Sequence, residues 1–192
     1  MQPVSDEQQI VVLAQTGNEE AVTFLYKTHV DSIFGYIRYR VASVEIAQDL
    51  TSEVFLRMVR GLPTYKDQGI PFRAWLFRIA ANRITDHYRQ TGKNILMPIP
   101  EDFESDDLDL LDEAVSKEET LRLRRALTTL PADYQDLLIL RFVQNLPHTE
   151  IAEIMHKSAG ALRSMQYRAV KALTQELAKL PKNPAAQREN KP

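Results

Sequence analysis

Cysteine is absent from the 192 residues, which excludes disulfides, thiolate zinc sites and cysteine nucleophiles at once. Nowhere do 18 apolar residues run together, so no membrane-spanning helix is expected. The acidic N-terminus holds an apolar run of only Ile10 to Ala14, too short for a signal peptide. The four histidines (His29, His87, His148 and His156) fall in no metal-binding spacing, and neither a phosphate loop nor a nucleophile motif occurs. Enzymatic chemistry, metals and cofactors are therefore not expected. Glycine is scarce, with six in the chain against 44% hydrophobic residues, which points to a soluble, helix-rich globular protein of one domain or two small ones.

An overall excess of positive charge is lacking too, since the net charge is −2. Its distribution matters more. Residues 1–100 carry 11 Lys/Arg and 10 Asp/Glu, nearly in balance. Residues 101–119 carry ten acids and one lysine, whereas residues 120–192 carry 12 bases and six acids. A basic C-terminal unit is thus tied to an acidic strap.

The segment from Leu130 to Leu173 is punctuated as a helix, a turn and a second helix. Pro131 opens the first helical stretch, Pro147 restarts the chain, and Ser158 is a natural N-cap. Only Met155, His156 and Lys157 separate the last two helices, enough for a tight turn. In the final helix Leu162, Met165, Ala169, Ala172 and Leu173 form a core-facing stripe. Gly160, Arg163, Ser164, Tyr167 and Lys171 share the opposite side. Small residues, then hydroxyls and cations, suit a helix entering a DNA major groove; the alternative is an ordinary solvated face.

Earlier in the chain, helices are expected over Ser5–Ala14, Asn18–Arg40, Ser43–Arg60 and from Phe72 onward. The second takes its apolar side from Phe24, Leu25, Ile33, Phe34 and Ile37, the third from Ile46, Ala47, Leu50, Val54 and Met58. Asp49, Ser52, Glu53, Arg57 and Arg60 form a polar stripe on the third, with Glu53–Arg57 a modest pair. It is either a solvated face or a docking face. Tyr65 and Lys66 lie in an exposed loop, an arrangement suited to stacking on an unpaired base. In the Phe72 helix Trp75, Leu76 and Ile79 point inward, and Arg78, Asn82, Thr85, Asp86 and Arg89 share another side. Five cations against one acid between Arg73 and Lys93, interleaved with Phe77 and Tyr88, fit nucleic acid, although Asn82 and Asp86 equally suit local hydrogen bonds.

Four blocks resemble the extracytoplasmic-function (group 4) sigma factors of bacterial RNA polymerase, in the sigma-70 family. They are FLYKTHVDSIFGYIRYR at 24–40, AQDLTSEVFLRMVRGLP at 47–63, FRAWLFRIAANRITDHYRQ at 72–90, and the helix-turn-helix stretch with its L-P, L-x-L-R, E-I-A and S-x-G elements. All four keep the family's order over about 150 residues. The resemblance implies an all-α fold of two small helical domains joined by a flexible acidic linker, the second domain a helix-turn-helix. The boundaries are 1–92 (region 2-like), 93–116 (linker), 117–180 (region 4-like) and 181–192 (tail). It implies an alternative sigma factor that binds core RNA polymerase, recognises the −35 and −10 elements and promotes promoter opening; the competing reading is a stand-alone helix-turn-helix regulator.

By resemblance, Asp49, Ser52, Glu53, Arg57 and Arg60 face the clamp helices of the polymerase's largest subunit. Tyr65, Lys66, Arg78, Asn82, Arg83, Asp86 and Arg89 read the −10 element. Ser158, Gly160, Arg163, Ser164, Tyr167, Arg168 and Lys171 read the −35 element, where region 4 also meets the polymerase flap. The linker would thread a channel built for RNA, its acids Asp106, Asp107, Asp109 and Asp112 suiting that path. Promoter DNA and core polymerase are the implied partners and an anti-sigma factor is a further one; membrane insertion is not expected and the cytoplasm is the expected location. Three positions depart from the family pattern: Ser52 stands where glutamine is frequent, Pro147 where a serine cap is frequent, and His156 where a turn glycine is common.

Overall fold

The computed structural model describes residues 6–181 apart from 68 and 92–116, so the expected linker and nearly all of the expected tail lie outside the described residues. Local chemistry fixes the helix starts. The Asn18 side chain accepts from Ala21 N at 2.8 Å, the Ser43 hydroxyl from Ile46 N at 3.3 Å and the Ser158 hydroxyl from Ala161 N at 3.2 Å. Each satisfies a first-turn amide that the helix cannot. The first unit is α1 (Asp6–Gln15), α2 (Glu19–Arg38), α3 (Val44–Gly61) and α4 (Phe72–Thr91). The second is α5 (Lys117–Thr128), α6 (Ala132–Leu138), α7 (His148–Met155) and α8 (Ala159–Lys179). No strand occurs among the described residues.

Helix α6 does not simply stop. It opens into a wide turn at Ile139–Val143, where Gln144 N reaches back to the Ile139 carbonyl at 2.9 Å. Asn145 then turns the chain with φ 52°, a conformation asparagine tolerates well. Pro147 occupies the cap position itself and α7 follows. His156 ends α7 in the left-handed region (φ 52°, ψ 46°), the geometry for which the family pattern favours glycine.

In the first unit Leu25, Ile33 and Ile37 meet Val54, Met58, Leu76, Ala80 and Ile84, none more than 1% exposed. Full burial stabilises each large aliphatic side chain by about 1.5–3 kcal/mol. Leu137, Leu140, Ile151, Leu162 and Ala169 do the same for the second unit, each 0% exposed. Some expected core positions differ. Phe24 is 50% exposed, and Phe34, Ile46, Trp75 and Ile79 are only partly buried.

A tether is the only connection the sequence predicts between the modules; the structure adds a packed seam. Both cores belong to one continuous apolar cluster, with α7 against α4 and the 139–143 turn against α2. Gly35 faces this seam, where a Cβ would sit 3.3 Å from Gln144 Nε2, the flexible end of that side chain. Tyr36, fully buried, donates its hydroxyl to Asp136 at 2.6 Å, and Arg40 pairs with the same carboxylate at 3.2 Å.

Candidate polymerase and promoter interface

On α3 the polar stripe is surface, as its spacing requires. Asp49, Ser52, Arg57 and Arg60 are exposed and Glu53 is half-buried. The expected Glu53–Arg57 pair is replaced by bonds to the next helix. Glu53 pairs with Arg83 and Arg57 lies 3.9 Å from Asp86, while Arg83 also donates to Asp86 at 3.1 Å. The reason is burial: the Arg83 side chain is 9% exposed, so its guanidinium takes the two nearest carboxylates. Residues assigned to two separate surfaces therefore share one ionic network between α3 and α4.

Along α4 only Asn82 and Arg89 of the predicted promoter-facing residues are fully exposed, Asp86 is partly buried, and Arg83 is withdrawn into the network. Arg78 reaches α7, where it donates to the Glu153 carbonyl oxygen at 2.7 and 3.0 Å and to its carboxylate at 3.2 Å. Arg73, which sequence spacing did not single out, donates to both carboxylate oxygens of Glu150 at 2.7 Å. That bidentate bond holds the Arg73 guanidinium above its ordinary pKa.

Tyr65 is not freely exposed. Its ring packs edge-on against Phe72 with centroids 5.4 Å apart and tilts over Trp75 at 4.8 Å. Burial raises its hydroxyl pKa. Lys66, by contrast, is exposed. Gly61, Tyr65, Lys66, Ile70, Trp75 and Arg78 are among the residues lining a cavity of about 460 Å³ whose wall is aromatic and whose rim carries two cations. Trp75 closes it because Gly61 has no side chain; a Cβ there would approach the indole to 3.0 Å.

Helix α8 divides as its periodicity predicts. Leu162, Met165 and Ala169 are buried and Ala172 and Leu173 only partly so, while Ser158, Gly160, Arg163, Ser164, Tyr167, Arg168 and Lys171 are all exposed, Tyr167 by 71%. His148 at the start of α7 pairs with Gln166 on α8. Both line a recess of about 360 Å³ with Arg163, Tyr167 and Val170. His148 and Gln166 thus join the α8 face; the i, i+3 spacing of Arg163 and Gln166 is the sequence signal for the second of them. No group of three or more metal-ligating side chains occurs among the described residues, and none of the described helices is long and apolar enough to cross a membrane.

This geometry places two cation-bearing helical surfaces and one mixed-charge stripe on a single chain. The family model for sigma-70 region 2 matches residues 25–94, and that for sigma-70 region 4 matches residues 120–173. The chain is 33% identical over 175 residues to the ECF RNA polymerase sigma factor SigD of Mycobacterium tuberculosis, covering 88% of this chain and 82% of SigD. It is 34% identical over 171 residues to the ECF RNA polymerase sigma factor BldN of Streptomyces coelicolor, covering 88% of this chain and 65% of BldN. Among solved structures, CnrH in complex with the cytosolic domain of CnrY is similar with a TM-score of 0.69 at 21% identity, over 90% of this chain and 97% of CnrH. The sigma factor RpoE of Bartonella quintana, in complex with the anti-sigma factor NepR, is similar with a TM-score of 0.61 at 20% identity, over 83% of this chain and 98% of RpoE. At those identities the two structures speak for the all-helical fold, and the sequence matches speak for the family. The chain belongs to the extracytoplasmic-function RNA polymerase sigma factors of the sigma-70 family.

Proposed function

We propose that the chain directs RNA polymerase to promoters as an alternative sigma factor, through three surfaces with separate tasks. The observation that carries this reading is the α8 face: capped by Ser158, slim at Gly160 and fully solvent-facing from Arg163 to Lys171. It has the shape and donors to enter the −35 major groove, where each good base-edge contact is worth about 1–3 kcal/mol of discrimination. The cavity between Tyr65, Trp75 and Arg78 is a place for an unstacked −10 base, with Lys66, Asn82 and Arg89 along the strand. Aromatic stacking of about 1–3 kcal/mol per base offsets the few kcal/mol needed to unstack it. Asp49, Ser52, Glu53, Arg57 and Arg60 on α3 then form the core-polymerase face, and region 4 adds a contact at the flap.

In this scheme residues 1–92 and 117–180 are the two working domains, 93–116 is the linker and 181–192 the tail. Arg83 and Asp86 act by bracing α4 on α3. Capture of bases and phosphates is noncovalent, so no cofactor or catalytic group is needed. The working place is the cytoplasm, with the polymerase, and an anti-sigma factor is a further partner of this surface. The test adds the full chain to core polymerase and looks for promoter-specific transcripts on genomic DNA. Transcripts are expected. Failure to bind core removes the reading, and tight promoter binding without polymerase would favour a stand-alone regulator.

A further inference from the structure

The recess of about 360 Å³ in the helix-turn-helix is lined by one residue of α7, His148, and by Arg163, Gln166, Tyr167 and Val170 of α8. It shares Arg163 and Tyr167 with the solvent-facing side of α8, and Gln166 follows Arg163 by one turn. His148 Nε2 faces the amide oxygen of Gln166. An imidazole with a proton on Nε2, neutral or charged, donates to that oxygen. The bond occupies the only acceptor atom of the Gln166 side chain, while Gln166 Nε2 donates to no described residue. What remains of Gln166 is a pair of N–H donors held in the recess. Beside them Val170 and the Tyr167 ring, both exposed, supply apolar contact surface.

A free glutamine matches adenine, accepting from its N6 amine while donating to N7. With the oxygen held by His148 that two-bond match is lost, and only acceptors are left as partners. In the major groove thymine is the base that joins an acceptor, O4, to a methyl group, which Val170 and Tyr167 are placed to cover. Guanine offers acceptors without the methyl, and cytosine presents an N4 donor to an amide whose free atoms are donors. We propose that His148 and Gln166 make this recess a thymine-reading subsite of the −35 interface. Gln166 donates to O4, Val170 and Tyr167 pack on the 5-methyl, and His148 is the positioning residue that fixes the amide. This rests on the −35 reading given above for α8, and it adds a base identity and a residue outside that helix. Arg163, one turn earlier, keeps a contact of its own.

The test uses holoenzyme reconstituted from core polymerase and the full chain, with a pool of duplexes that keep the −10 region of a promoter it transcribes and are randomised across the −35 element. Duplexes selected by the unaltered protein should be enriched in thymine, about tenfold, at the position whose preference Gln166→Ala erases. Deoxyuridine in place of that thymidine removes only the methyl and should weaken binding about fourfold. His148→Phe keeps a ring and frees the amide oxygen, so the same position should turn from thymine to adenine while the rest of the selected sequence is kept. A general loosening of the helix-turn-helix would instead lower affinity for every duplex alike. Selection of guanine or adenine there by the unaltered protein, equal binding of uracil and thymine, or a thymine preference that survives His148→Phe each overturns the proposal. A Gln166→Ala protein that alters no position does so too. Should His148→Phe fail to fold, His148→Ala frees the same oxygen and takes its place. An unaltered holoenzyme that selects no −35 sequence at all removes the −35 reading itself, whereas selection without the thymine signature removes the subsite alone.

Discussion

Arg83 offers a quantitative test of which α4 cations touch DNA. Its place in the helix puts it with the promoter-facing residues, yet its side chain is 9% exposed between Glu53 and Asp86. Those carboxylates are 46% and 37% exposed, so solvent screens both pairs and each is worth about 0.5 kcal/mol. The buried stem contributes on the order of 1 kcal/mol by packing. Arg83→Met keeps the stem and should cost about 1 kcal/mol, and Arg83→Ala about 2 kcal/mol. At roughly 2–4 °C per kcal/mol for a chain of this size, the alanine variant should melt about 4–8 °C early. Binding of the reconstituted holoenzyme to a forked promoter, followed against salt, separates this from DNA contact. Arg89→Ala should lower the log–log salt slope by about 0.7, the loss of one single-strand phosphate contact, and Arg83→Met should leave it unchanged. An Arg83→Met protein that melts like the unaltered chain but loses slope like Arg89→Ala would refute the bracing role.

His156→Gly should raise stability by about 0.5 kcal/mol, because the relief of left-handed strain exceeds the added freedom of the unfolded chain; a urea midpoint that moves up at constant m-value checks it. Tyr36→Phe leaves the packing intact and removes the bond to Asp136, so closure should weaken by about 1.5 kcal/mol, read as faster amide exchange at 139–143. Glu7 is held below the usual carboxylate range, chiefly by its hydrogen bond with His29. A depressed acid stabilises the fold above its unfolded pKa and loses that contribution as pH falls through the folded value, so Glu7→Gln should flatten the acid limb of a stability–pH profile below about pH 5.

What the sequence made legible is what local rules decide. Ser43 and Ser158 cap where they were placed, the left-handed turn falls on His156, and both sides of α8 follow from a 3.6-residue period. Helix α5 carries a short stripe at Leu123, Ala126 and Leu127, continued by Leu130 just beyond its end, but two of its other buried positions are the polar Thr120 and Arg124, which blur that signal. Arg124 is 3% exposed, lies over the Tyr39 ring at 4.7 Å and donates to the Arg38 carbonyl at 3.0 Å. Burial lowers its pKa to about 10. The aromatic packing of Tyr65 and the Arg73–Glu150 and Arg78–Glu153 pairs were equally invisible. Each depends on which helices meet, and the pairs join residues about 75 positions apart in the chain, beyond the reach of periodicity. The wide turn at 139–143 has no composition signal, since Ile139 and Leu140 would serve an ordinary helix as well.

The mixture of charges across the seam limits how much its ion pairs add to closure. Burial pushes the Asp136 carboxyl upward, and the Arg40 guanidinium and Tyr36 hydroxyl only partly offset that cost. Were the seam to open, the Arg40–Asp136 and Arg73–Glu150 pairs would regain water, so the loss of attraction within each pair would be largely returned as hydration. An apolar seam of the same extent would have no such return, and each Leu or Ile re-exposed would cost about 1.5–3 kcal/mol. Closure is therefore held chiefly by Leu140 and its apolar neighbours around Tyr36, while the ion pairs set register and make the contact responsive to ions. Ionic strength should therefore change the register of the contact more than its closure.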